Sequence, residues 1–210
     1  MTTIMLGVKI PGQKIGKPMR YPAAETAEKH ERILEQAARL FRERGFSGVS
    51  LGEIMKATGL THGPFYNHFA SKEELMAESM RHTSQKALSK LETIEPSEEG
   101  KNSFINSYLS PSHRDTPGDG CLIAALAPEI SREPGVREPL TCHLSAFIDQ
   151  MAMQFPWPED KSARQQAIQT IASMVGGLVI ARAVADETLS QEILSDVLAG
   201  LTGSSSPQQG

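Results

Sequence analysis

Cysteine is scarce in this chain. Cys121 and Cys142 are the only two among 210 residues, and neither belongs to a CxxC pair, so a disulfide framework or a cysteine-based zinc site is not expected. No apolar run reaches about 18 residues, which excludes a bilayer-spanning helix. The first residues, MTTIMLGVKIPGQKIGK, are broken by Lys9, Gln13 and Lys14 and lack the continuous apolar stretch of a secretory signal, so a cytoplasmic location without membrane attachment is expected. Aromatics are only 5% and charged residues 22%, a globular profile without the low hydrophobicity and high charge of disorder. Strand-like alternation, internal repeats and heptad arrays are absent. So are a P-loop, GxGxxG, HExxH and ExxH, and with them the motifs of an enzyme, a cofactor site or a metal centre. Cys121 and His143 are the one conceivable nucleophile pair, and their local sequence does not support it.

Acidity prevails, but unevenly. The formal charge is −4, yet residues 1–70 hold ten Lys or Arg against six Glu, and residues 71–210 hold eleven against nineteen Asp or Glu. A basic front suits an anionic partner, because attraction to phosphate acts within a Debye length, about 8 Å at physiological salt. Chance asymmetry is the competing reading.

Helical periodicity fills the chain between a basic Gly/Pro/Lys-rich arm (1–24) and a tail (203–210, GSSSPQQG) whose composition predicts disorder. In TAEKHERILEQAARLFRERG, Ile33, Leu34, Ala37, Leu40 and Phe41 recur on one helix face, with Thr26 as a possible cap and Gly45 as terminator. Ser50 and Glu53 stand in capping-box register for a two-turn helix that ends at Gly59. Thr61 can cap a third, short helix through about residue 68, with Pro64 in its first turn, where proline loses no hydrogen bond. Ser71 and Glu74 form a second capping box and open a longer helix through SKEELMAESMRHTSQKALSKLE. Three helices in about 45 residues followed by a long fourth is helix-turn-helix organisation. Beyond it, PSEEGKNSFINSYL, GCLIAALAPEISRE, VREPLTCHLSAFIDQMAMQF, KSARQQAIQTIASMVGGLVIARAVAD and SQEILSDVLAGL read as helices. SPSHRDTPGDG and WPED read as breaks. Pro139 should confine its helix to residues after about 136.

The residues AARLFRERGFSGVSLGEIMKATGLTHGPFYNHFASKEEL resemble the DNA-binding domain of the TetR family of bacterial transcriptional repressors over about residues 26–85. The resemblance is carried by Gly45-Phe46, Val49-Ser50-Leu51, Ile54, Ala57-x-Gly59, Gly63, Phe65-Tyr66, His68-Phe69 and Ser71-Lys72-Glu73. It implies an all-α fold: a helix-turn-helix domain (25–72) with a linking helix (72–92), then a helical-bundle domain for ligand binding and dimerisation (93–202). It further implies double-stranded DNA as partner, a homodimer reading a palindromic operator, and release by a small-molecule effector. Phe65 and Phe69 are then core, and Lys72 a phosphate contact. Pro64 departs from the Thr, Ala or Ser that many relatives carry, and removes a hydroxyl contact.

The candidate DNA contacts are Ser50, Thr61, His62, Gly63, Pro64, Tyr66, Asn67, His68 and Lys72. Thr61 and His62 lie at a helix start, whose free N–H groups and dipole favour phosphate. Gly63 permits close backbone approach, and His62, Tyr66 and Asn67 offer groups for base edges or phosphate. For His68, packing between helices is the preferred reading. Lys9, Lys14, Lys17 and Arg20 of the arm either follow the duplex or stay solvated. Ile171, Val175, Gly176, Leu178, Ile193 and Val197 are candidates for a four-helix dimer interface, with Gly176 and Gly177 allowing close helix approach. Phe104, Tyr108, Cys121, Leu126, Phe147, Met151, Trp157 and Met174 are candidates for the wall of a pocket suited to a small hydrophobic effector. Leu122, Leu144 and Phe155 extend the same set. A thiol sensor at Cys121 or Cys142, and an architectural helix-turn-helix protein without effector, are the competing functions.

Overall fold

The computed structural model of the chain describes residues 23–60 and 63–203. The arm up to residue 22, Thr61, His62 and the tail from 204 lie outside the described residues, and with them the readings made of Lys9, Lys14, Lys17 and Arg20. Among the described residues every regular element is helical: α1 (Ala23–Arg44), α2 (Leu51–Ala57), α3 (Lys72–Glu92), α4 (Glu98–Tyr108), α5 (Pro111–Asp115), α6 (Leu122–Ile130), α7 (Pro134–Gln154), α8 (Ala163–Ala183) and α9 (Glu187–Thr202), with 3-10 turns at Gly63–Asn67 and Pro117–Asp119.

Local chemistry explains most boundaries. Ser50 caps α2 with a complete capping box, and the chain leaves that helix through a Schellman turn, Leu60 N–H to Met55 O (3.0 Å) and Gly59 N–H to Lys56 O (3.1 Å). Gly59 sits at φ +71 with open space around it, so left-handed backbone rather than crowding requires glycine there. Ser71 caps α3 through Glu74 N–H (3.1 Å), while the Glu74 carboxylate reaches back to the Ala70 N–H, one residue beyond the expected box partner. Ser97, Ser162 and Asp186 cap α4, α8 and α9.

Several expectations need correction. The first helix begins at Ala23, so Thr26 lies inside it and residues 23–24 belong to helix rather than arm. The described part of the third helix, Gly63–Asn67, is a 3-10 turn, the tighter form that short segments adopt. The break SPSHRDTPGDG contains α5, capped by Ser110 with Pro111 at its first position. The last helix starts at Glu187, earlier than its apolar stripe suggested.

Two apolar cores divide the molecule. The first joins Ile33, Ala37 and Phe41 of α1, Ile54 of α2, Phe65 and Phe69, and Leu75 and Met80 of α3. It is closed by Leu122, Leu126 and Ile130 of α6 and Val136 of α7. Leu126, expected in a ligand pocket, therefore packs under the N-terminal unit, because it lies on the face of α6 that joins the first core, while Ala124 of the same helix joins the second. The second core gathers Leu91, Ile105, Met151, Phe155, Ile171, Met174, Leu178 and Leu194. Helix α3 enters both, through Leu75 to Met80 at one end and Leu91 at the other.

Candidate nucleic-acid interface

At the tip of the N-terminal unit, the turn Gly63–Asn67 is anchored by its aromatics. Phe65 is 0% and Phe69 1% exposed, and the Phe65 carbonyl accepts from the N–H groups of His68 (2.9 Å) and Phe69 (3.0 Å). Tyr66, between them, is 64% exposed with its ring edge-on to Phe65 at 5.1 Å. Asn67 is exposed as well. The turn thus holds its backbone by two buried rings and presents two of the three intervening side chains, Tyr66 and Asn67, outward, the geometry direct readout needs. His68 lies inward of them, 5.7 Å from the His30 ring. Burial, then the charges of His30 and Lys29, hold it below the ordinary histidine pKa. It fits the packing role, as does His30, which stacks on Phe69 at 4.6 Å and pairs with Glu78 at 3.0 Å.

Ser50 and Lys72 have other engagements. The Ser50 hydroxyl is tied to Glu53 in the cap, at 2.7 Å to Oε2 and 3.2 Å to N–H, and the Ser50 N–H and hydroxyl hold that carboxyl below its usual pKa. Lys72 Nζ donates to the carbonyls of Phe46 and Val49, both at 2.6 Å. From the other side the Glu129 carboxylate accepts from the Phe46 N–H at 2.8 Å and crowds Gly45, where a Cβ would fall 2.0 Å from its Oε1. An ammonium and a carboxylate therefore fix the loop between α1 and α2. Sequence reasoning missed Glu129, since its partner lies 83 positions away and APEI carries no local signal.

A second missed contact is Arg42. Its Nε (2.8 Å) and Nη2 donate to Gly118 O and its Nη1 to Thr83 Oγ1 (3.1 Å), so the end of α1 grips the 3-10 turn Pro117–Asp119. That turn leads into a half-buried polar cluster. The His113 ring donates from Nδ1 to Tyr108 O (2.6 Å) and accepts at Nε2 from the Cys121 N–H (3.1 Å), while Arg182 donates to the carbonyls of Arg114 (2.9 Å) and His113 (2.7 Å). The Tyr108 hydroxyl is buried without a hydrogen-bond partner, and burial, followed by nearby Cys121, pushes its pKa up. His143, once set against Cys121, is bonded instead to Ser84 Oγ at 2.8 Å.

Most residues expected to line a pocket pack on one another. Phe104 lies 6.4 Å from Tyr108 and from Phe147, and 6.2 Å from Phe155. Met151 and Met174 are buried in the second core. A groove of about 470 Å³ opens elsewhere, lined by Glu98, Lys101, Ile105, Trp157 and Thr170. Trp157 is the one expected wall residue that it uses.

Helix α8 is apolar on more than one face. Leu178 is 0% exposed and Ile171 is buried beside it, so these two candidates for the subunit interface are corrected: they fill the protomer's own core. Gly177 is the close-approach glycine, with Val197 of α9 at 3.1 Å from where a Cβ would stand, whereas Gly176 faces open space. Val175, Ile193 and Val197 are partly buried against the second core. The outward apolar side chains are Ile168, Val179 and Ile180, the last 53% exposed.

Among the described residues the chain is all-helical, and its N-terminal unit has helix-turn-helix organisation. Residues 33–78 match the family described as "Bacterial regulatory proteins, tetR family". The N-terminal segment therefore carries that family's DNA-binding domain. It is 48% identical over 54 residues to the HTH-type transcriptional regulator AcrR of Shigella flexneri, covering 26% of this chain and 25% of the relative. Over 74 residues it is 36% identical to the uncharacterized HTH-type transcriptional regulator YerO of Bacillus subtilis, 35% of this chain and 26% of the relative. The match thus spans about a quarter of these relatives' length. The whole fold is similar to reduced E. coli NemR, at TM-score 0.71 and 20% identity, covering 87% of this chain and all of that one.

Proposed function

We propose that the chain is a DNA-binding transcriptional regulator, a repressor acting as a homodimer on a near-palindromic operator. The observation that carries this reading is the outward Tyr66-Asn67 pair on a turn pinned by Phe65 and Phe69, within the segment matched to the family. Tyr66 and Asn67 meet base edges or phosphates, and Thr61, His62, Gly63 and Pro64 approach the backbone beside them. Lys72 and Ser50 act by holding the loop and the cap that aim the unit. Two such units in a dimer meet successive major grooves about 34 Å or more apart.

Dimerisation uses the outward face of α8, Ile168, Val179 and Ile180, together with Val175, Gly176 and parts of α9. Apolar side chains left exposed on a helix after the core is filled suit an interaction site. The effector is a small hydrophobic or aromatic molecule that separates the rings of Phe104, Tyr108 and Phe147 and gives the Tyr108 hydroxyl an acceptor. Its binding moves the turn 117–119, hence Arg42 and α1, and shifts the population toward a spacing of the two tips that fits no operator.

Selection of duplexes from a random pool by the full chain, followed by footprinting, tests the reading. Enrichment of one inverted repeat supports it. Equal retention of all sequences contradicts it.

A further inference from the structure

We propose that Glu31 and Glu35 of α1 and His82 of α3 form a site for one divalent transition-metal ion of the zinc, cobalt or nickel class. The two glutamates stand four residues apart on one helix face, and His82 projects toward them from the neighbouring helix with Nδ1 3.3 Å from Glu31 Oε1. One donor atom from each residue can be chosen so that all three lie within 4.8 Å of one another. Donors on one ion with bonds of about 2.0–2.2 Å stand roughly 3 Å apart. The His82–Glu31 pair already has that bite, and the Glu35 donor closes in from within 4.8 Å.

The imidazole is held for the task. Its side chain is 11% exposed between the helices, and its second nitrogen, Nε2, is buried without a hydrogen-bond partner. Coordination through Nδ1 leaves Nε2 as the ring N–H, so the buried Nε2 is not the ligand atom. Two carboxylate oxygens with one imidazole nitrogen suit borderline ions rather than magnesium or calcium. Both carboxylates are exposed, which supplies an entry path and leaves the remaining coordination positions to water.

Lys86 is the competitor. Its Nζ sits 2.5 Å from Glu35 Oε1. The ion displaces this ammonium and pins α1 to α3, the helix that runs from the tip of the N-terminal unit into the second core.

The test is titration of the chelator-treated full chain with Co2+ read by visible absorption and with Zn2+ read by calorimetry. One ion per chain is expected, with Tm raised by about 5–10 °C at a hundredfold excess over Kd. Glu31→Gln with Glu35→Gln weakens binding at least about tenfold, and Lys86→Ala tightens it, because removing a salt-bridge partner frees the ligand. Absence of saturable uptake overturns the proposal. So does uptake unchanged in the double glutamine variant, which would place the ion elsewhere, or weakened uptake in Lys86→Ala.

Discussion

The segment from α1 to the first half of α3 buries its large apolar side chains among themselves and under α6, leaving one aromatic, Tyr66, far out in solvent. Helix α8 does the reverse: it fills the second core with Ile171, Met174 and Leu178 and still carries Ile168, Val179 and Ile180 outside. A finished core with one projecting ring is a presenting device, whereas an apolar face left over after the core is complete is an association surface. The comparisons follow the same division. Identity is high over the first unit and short in extent, while the remainder is similar to solved structures at the level of fold.

The largest effects separate these two kinds of surface. Ile168→Glu with Ile180→Glu is expected to convert the proposed dimer to monomers in sedimentation while leaving the helical content intact, since both side chains are outside the protomer core. Phe65→Ala, in the finished core, is expected to cost about 3–5 kcal/mol in urea denaturation. Lys72→Met comes next. It removes a charged donor from two carbonyls, hydrogen bonds worth about 1.5–3 kcal/mol each, and should lower Tm. If Lys72 were instead a phosphate contact, Tm would hold and the salt slope of DNA binding would fall by about one.

The smallest effect is the pH response. Burial holds the pKa values of His143 and His113 below the ordinary value of 6.5. On acidification the unfolded chain takes up these protons first, so stability is full above about pH 6.5 and falls as pH drops from there toward the folded values. The unfolding midpoint, followed from about pH 7.5 to about pH 5.5, should decline, and His143→Gln should flatten part of the decline.

Local signals were legible in the sequence and distant ones were not. The Ser50–Glu53 box and the Gly59 turn each depend on neighbours within a few positions, whereas the inward Phe65 and Phe69 were legible only through the family resemblance. The roles of Lys72 and Glu129 depend on carbonyls and amides 23 to 83 positions away, which no periodicity records. In α8 an apolar residue occurs on nearly every face, so spacing could not tell Leu178, which is inside, from Ile180, which is outside. Leu126 was placed in the wrong core for a related reason: the stripe of α6 is readable, but the helix it meets is not.

The binding of Tyr66→Ala to the selected operator, measured by fluorescence anisotropy at fixed salt beside its thermal melt, tests the central claim most directly. The account predicts an unchanged melt, because the ring is mostly in solvent, with affinity reduced about tenfold, the equivalent of one good contact of about 1–3 kcal/mol. Undiminished affinity with an unchanged melt would contradict it.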